Sequence, residues 1–240
     1  MVIFRNVFRK STKKITVYQF FLNNFAASSD GLTIVSDIVK RMIKNIVLDF
    51  GSVLVDWNPH YLYDDVFGDR RKADWFLDNI CTAEWNAKMD AGASFRREVV
   101  LLQRKYPQWA AEIELYDTAW WRMMGGTIPG MHGLLMELKE TGHALYGLSN
   151  WNDRKFHAYV HSSYPIFGLL DGMVLSGEEK VAKPDEKIYH ILLDRFKLKA
   201  DECLFVDDNH ANIEVASKLG FKTILFESAD ALRRELVSYL

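Results

Sequence analysis

NIVLDFGSVLVDW, residues 45–57, is the stretch that decides the fold. Ile46, Val47 and Leu48 follow one another without a polar break, so side chains on both faces of this strand meet apolar surroundings. That is the pattern of a strand inside a parallel sheet covered on both sides, rather than of a half-exposed antiparallel edge. The run ends on one carboxylate, Asp49, and two residues later comes Gly51. In open α/β sheets ligands bind beyond the carboxyl ends of the strands, which is where such a strand delivers Asp49.

The same alternation continues downstream. Further strands are expected at 143–148, 172–175, 203–207 and 222–226, the first one covering 45–49. Helices are expected at 130–141, ended by Gly142, at 152–161, at 184–197, at 210–219, ended by Gly220, and at 229–239. Strand and helix in turn predict an α/β fold, a Rossmann-like parallel sheet covered by helices. Residues 57–128 break the rhythm, with several helical segments and no convincing strand. They read as an all-helical cap domain inserted over the carboxyl edge of the sheet, which divides the chain into a core of residues 42–56 and 129–240 and a cap of 57–128.

Composition bounds the rest. The 240 residues are 49% hydrophobic and 26% charged, enough for one large domain or a core with an insertion. A net charge of -2, with no basic face interleaved with aromatics, argues against nucleic acid as a partner. No apolar run approaches the roughly 20 residues that cross a bilayer. The two cysteines, Cys81 and Cys203, stand apart from any second Cys or His at ligand spacing, which suits reduced thiols of a cytoplasmic protein, a monomer or weak homodimer. Residues 1–41 differ, with seven Lys or Arg against two Asp. They are expected to form a poorly ordered extension; an upstream start codon and an export segment are the competing readings.

Strand ends from distant parts of the chain become neighbours in a parallel sheet. That rule collects Asp49, then Ser149 and Asn150, then Asp207 and Asp208; Lys183 joins them, placed by Pro184 at the start of a helix. Taken singly, each has a blander reading: a strand-end Asp or an Asp-Asp-Asn before a helix is a cap, Ser-Asn a turn, Lys before Pro a solvated surface residue. Taken together they are carboxylates, a cation and a hydroxyl converging on one edge. Carboxylates so close need positive charge, which a hard, oxygen-liganded cation such as Mg²⁺ supplies.

At these residues the chain resembles the haloacid dehalogenase (HAD) superfamily of aspartate-nucleophile hydrolases. The resemblance rests on VLDFGSVLVD (47–56), LSN (148–150), KPDEKIY (183–189) and LFVDDNHANIEVASKLG (204–220), and spans about 200 residues from Met42 onward. Within the family it leans toward a bacterial branch of sugar-phosphate phosphatases that includes enzymes acting on α-glucose 1-phosphate. The resemblance implies that Asp49 is the nucleophile and that Mg²⁺ is held by Asp49, the Gly51 carbonyl and Asp208, with Asp207 beside them. Ser149, the Asn150 amide and Lys183 would bind the phosphate of a small phosphate ester.

Gly51 departs from the pattern, because most phosphatases of the superfamily carry a second Asp there to protonate the leaving oxygen. Asp56 or His60 could substitute, or a sugar 1-phosphate could leave with little help. A 2-haloacid dehalogenase, which needs no proton donor, and a catalytically weak ligand- or partner-binding domain remain alternatives. For the substrate mouth the candidates are Trp57, His60 and Trp85, from a cap rich in tryptophan.

Overall fold

In the computed structural model the described residues are 43–239, and the expected extension of residues 1–41 lies outside them. Five parallel strands form the sheet: β1 (Asn45–Leu48), β4 (Ala144–Ser149), β5 (Gly172–Leu175), β6 (Cys203–Asp207) and β7 (Lys222–Leu225). Their spatial order is β5-β4-β1-β6-β7. The chain runs outward from β1 through β4 to β5, then crosses back to the other side of β1. That reversal opens a crevice at the carboxyl ends of β4, β1 and β6, the ligand-binding position of open α/β sheets.

Both faces of the sheet are covered. Ile46 and Leu48 pack into one apolar cluster and Val47 into the other, as period-two side chains of a doubly covered strand must. Phe50, fully buried, stacks on Phe156 and meets Phe167 edge-on, with ring centroids 5.3 and 4.8 Å away. It fits only because β4 carries Gly147, where an added Cβ would lie 2.4 Å from the Phe50 ring. The covering helices after the insertion are α6 (Met131–Glu140), α7 (Asp153–Lys155, continuing as a π turn to Val160), α8 (Ser176–Glu179), α9 (Glu186–Phe196), α10 (His210–Lys218) and α11 (Ala229–Leu236).

Two expectations need correction. The helix after Lys183 begins at Glu186, not at 184: the Asp185 carboxylate accepts from the Lys187 amide at 2.9 Å and caps the helix, leaving Pro184 outside it, joined to Lys183 by a cis peptide. The stretch 57–128 is also not free of strand. β2 (Val55–Trp57) pairs antiparallel with β3 (Met124–Thr127) and brings both ends of the insertion together. Between them lie α1 (His60–Phe67), α2 (Arg70–Asn79), α3 (Ala83–Asp90), α4 (Phe95–Lys105) and α5 (Ala110–Thr118). Trp85 of α3 is 6% exposed, with its ring edge-on to Tyr116 at 5.0 Å inside this helical segment. Trp85→Ala is therefore expected to cost about 3–5 kcal/mol of stability in a denaturant titration, lowering activity on large and small substrates alike.

Candidate active site

Asp49 sits one residue past β1, its amide held by the Val206 carbonyl at 3.0 Å and its Oδ1 accepting from the Phe50 amide at 2.7 Å. The strand end thus fixes both backbone and carboxylate. Lys183 Nζ lies 2.9 Å from Asp49 Oδ1 and 2.6 Å from Asp207 Oδ2, with no part of its side chain exposed. Asn150 holds the Lys183 loop in place: its Nδ2 donates to the Lys183 carbonyl at 2.8 Å, and its Oδ1 accepts from the Lys183 amide at 2.7 Å. That leaves the Asn150 side chain engaged and its backbone amide as the group for a ligand. Ser149, buried at the end of β4, hydrogen-bonds Asp49 through its side chain.

Asp207 is fully buried and saturated. Its Oδ1 accepts from the Asn209 amide at 2.9 Å and Asn212 Nδ2 at 3.0 Å, and its Oδ2 from Lys183. It orients Lys183 and Asn212. Asp208, the next residue, is exposed. Ligand atoms of Asp49, Asp207 and Asp208 all lie within 4.8 Å of one another.

Charge in this cluster is unbalanced. Burial, together with the nearby charge of Asp207, pushes the Asp49 carboxyl up to about 6 against the opposing pull of Lys183. Burial and the charge of Asp207 likewise raise Asp208. For Lys183, burial alone would favour loss of the proton, yet the charges of Asp49 and Asp207 outweigh it and hold its affinity above the usual lysine value. Three carboxylates face one ammonium, a deficit of two positive charges. A divalent cation bound by hard oxygens fits that deficit.

Beside the cluster opens a cavity of about 120 Å³, lined by Asp49, Gly51, Ser149 and Asn150 from the sheet edge and by Trp57, Asn86, Asp90, Trp120 and Trp151 around them. A family model for haloacid dehalogenase-like hydrolases matches residues 43–220, which take in β1, β4, β5 and β6 and this edge.

The chain belongs to that family.

A sesquiterpene phosphatase of Aspergillus oryzae is 29% identical over 184 residues, covering 74% of this chain and 86% of its own. A D-ribitol-5-phosphate phosphatase of Bacteroides thetaiotaomicron is 26% identical over 212 residues, 83% of this chain and 99% of its own. An (S)-2-haloacid dehalogenase of Burkholderia cepacia is 33% identical over 90 residues, only 38% of either chain. Among solved structures, a HAD-family enzyme of B. thetaiotaomicron in its magnesium complex superposes with a TM-score of 0.64 at 21% identity, covering 81% of this chain and 98% of that one. This likeness shows the fold.

The HAD-like motifs chosen from the sequence come together as the strand-end rule demands: Asp49, Ser149, Asn150, Lys183, Asp207 and Asp208 share one edge, with Gly51 on the cavity wall. An added Cβ at Gly51 would meet nothing within 4 Å, so the glycine is not forced by crowding. Of the substrate candidates, Trp57 lines the cavity, while His60 and Trp85 are not among its lining residues. His60 Nδ1 instead lies 2.9 Å from Asp64 Oδ1, and Trp85 packs inward. Sequence reasoning missed Asn86, Asp90, Trp120 and Trp151. Their signal was faint, since nothing in their spacing ties them to the strand ends.

Proposed function

We propose that this HAD-like hydrolase is a Mg²⁺-dependent phosphatase that hydrolyses a small phosphorylated metabolite, a sugar phosphate, through an aspartyl-phosphate on Asp49. The observation that carries the reading is the two-charge deficit around a nucleophile-ready carboxylate: Asp49, Asp207 and Asp208 within 4.8 Å, answered among the described residues by Lys183 alone. A halide-releasing enzyme has no use for that third carboxylate.

In this reading Mg²⁺, held by Asp49, Asp208 and the Gly51 carbonyl with Asp207 behind them, supplies the positive charge that lets an anionic nucleophile approach an anionic phosphoryl group. Asp49, fixed by the Phe50 amide and Lys183, attacks phosphorus. Ser149 and the Asn150 amide donate to the non-bridging oxygens as they gain charge, and Lys183 screens Asp49 and the phosphate together. Water then cleaves the aspartyl-phosphate.

The sugar-like substrate rests on the cavity wall. Three indoles line it, and Trp57 Nε1 is buried without a hydrogen-bond partner, a donor that a substrate hydroxyl would satisfy. The inserted helices, returning through the β2/β3 ribbon beside the cavity, act as the cap that selects this substrate. Cys81 and Cys203 are both free and buried, which suits a reducing, cytoplasmic setting. No helix among the described residues is long and apolar enough to cross a membrane. A monomer or weak homodimer meets every requirement of this chemistry, since all the groups come from one chain.

The test is phosphate release from a panel of sugar and polyol phosphates, with Mg²⁺ and after its removal by EDTA. Release is expected to fall to background without the ion and to return on adding it back. Metal-independent halide release from 2-haloacids, with no phosphate release, would instead identify a dehalogenase.

A further inference from the structure

Gly51 leaves this reaction without a proton donor beside the nucleophile. The two residues that sequence alone suggested as replacements are occupied. Asp56 accepts a hydrogen bond from the Tyr61 hydroxyl, His60 pairs with Asp64, and neither lines the cavity.

Another acidic residue does line it. Asp90, the last residue of α3, shares the cavity wall with Asp49, Gly51, Ser149 and Asn150. The core grips this helix end at three carbonyls within four residues. Asn152 Nδ2 donates to the Met89 carbonyl at 3.2 Å, the Ser176 hydroxyl donates to the Asp90 carbonyl, and Lys180 Nζ donates to the Gly92 carbonyl at 3.3 Å. Gly92 makes the approach possible: its φ is +91°, and an added Cβ would strike Lys180 Cδ at 2.4 Å and the Gly177 carbonyl at 2.9 Å. The side chain is held too, with Asn86 Nδ2 donating to Asp90 Oδ2 at 2.7 Å. So a residue from the insertion is fixed against the sheet edge through backbone and side chain alike.

Its surroundings favour the neutral acid. Burial pushes the Asp90 carboxyl up to about 8; the Asn152 backbone amide opposes this, and the charge of Asp49 adds to it. No cation stands beside it among the described residues. A carboxyl protonated at neutral pH near a nucleophilic carboxylate is how two like groups divide acid and nucleophile between them.

We propose that Asp90 is the acid and base of this phosphatase, supplied by the inserted segment in place of a donor at Gly51. The proposal rests on the phosphatase reading above. As Asp49 forms its bond to phosphorus, the bond to the leaving oxygen breaks and that oxygen takes the Asp90 proton, releasing the alcohol. Asp90, now a carboxylate, takes a proton from water as the water oxygen bonds to phosphorus. The aspartyl-phosphate bond breaks, phosphate departs, and Asp49 is again a carboxylate and Asp90 again an acid.

Single-turnover kinetics with Mg²⁺ on two esters test the assignment. The dinitrophenolate of 2,4-dinitrophenyl phosphate leaves without a proton; the alkoxide of glycerol 2-phosphate does not. For Asp90→Asn the first turnover on the alkyl ester is expected to slow about 10²- to 10⁴-fold, while the dinitrophenolate burst stays within about threefold of wild type. The burst is then followed by slow turnover, because water lacks its base. Equal slowing of both first turnovers, or none on the alkyl ester, overturns the assignment. Should the Asn variant fail to fold, Asp90→Glu and Asp90→Gln, matched in shape, repeat the test: Gln must lose the alkyl ester selectively relative to Glu, and equal rates for the pair overturn the proposal. If Asp49→Asn retains full phosphatase activity, it is the phosphatase reading that fails.

Discussion

Asp49→Asn is expected to lose at least about 10³-fold in phosphate release with Mg²⁺, because in the proposed mechanism Asp49 is the group that forms the covalent intermediate. The same variant should melt higher than wild type in EDTA at pH 8. The folded protein holds the Asp49 proton up to about pH 6, against an ordinary value of 3.8, so the folded state binds the proton more tightly than the unfolded chain. The stability this contributes is complete below pH 3.8 and is lost as pH rises through 6. Above that, wild type carries an ionised, buried carboxylate that asparagine removes, a gain of at most about 3 kcal/mol. Melts of the two proteins should therefore coincide near pH 4 and separate by pH 8. A variant less stable than wild type at pH 8 would mean that Asp49 is a structural partner of Lys183 and not a group poised for a metal and a phosphate.

Lys183→Met should cost as much stability as Trp85→Ala, by an electrostatic route. The ammonium is completely enclosed and bridges two carboxylates at 2.9 and 2.6 Å; methionine nearly fills its volume but leaves Asp49 and Asp207 without a counter-charge. Breaking a buried pair from one side costs about 3–5 kcal/mol. Mg²⁺ should recover part of that loss, since the ion supplies positive charge to the same carboxylates, so its effect on the melting temperature is expected to be greater for the variant than for wild type. Thermal melts with and without Mg²⁺ check this. Equal shifts would mean that ion and lysine act on different groups.

Much of this was legible beforehand, for physical reasons. The five parallel strands were found because each is a short apolar run between breakers, and a doubly covered sheet demands such runs. The site on the core followed from them, since parallel strands bring their ends to one edge whatever their separation in sequence. Pro184 misled because its fixed φ suits the first turn of a helix, but Asp185 next to it offers a side-chain cap, which proline lacks. The β2/β3 ribbon escaped notice because Gly125 and Gly126 leave β3 no alternation to read. Trp85 and Asp90 lie five residues apart in α3, one turned into the helical segment and the other at the cavity. Periodicity in so short a helix does not say which face the sheet edge will meet.

The open space at Gly51 bears on how such a site could change. Glycine and aspartate codons can differ by a single base, and an aspartate side chain at 51 would begin in a region where its Cβ touches nothing. With a GGT or GGC codon at 51, this chain would stand one mutational step from carrying a proton donor on the same loop as the proposed nucleophile. After that step the inserted helices would no longer be constrained by bond-breaking at the site, and could drift toward new substrates without first losing the old chemistry.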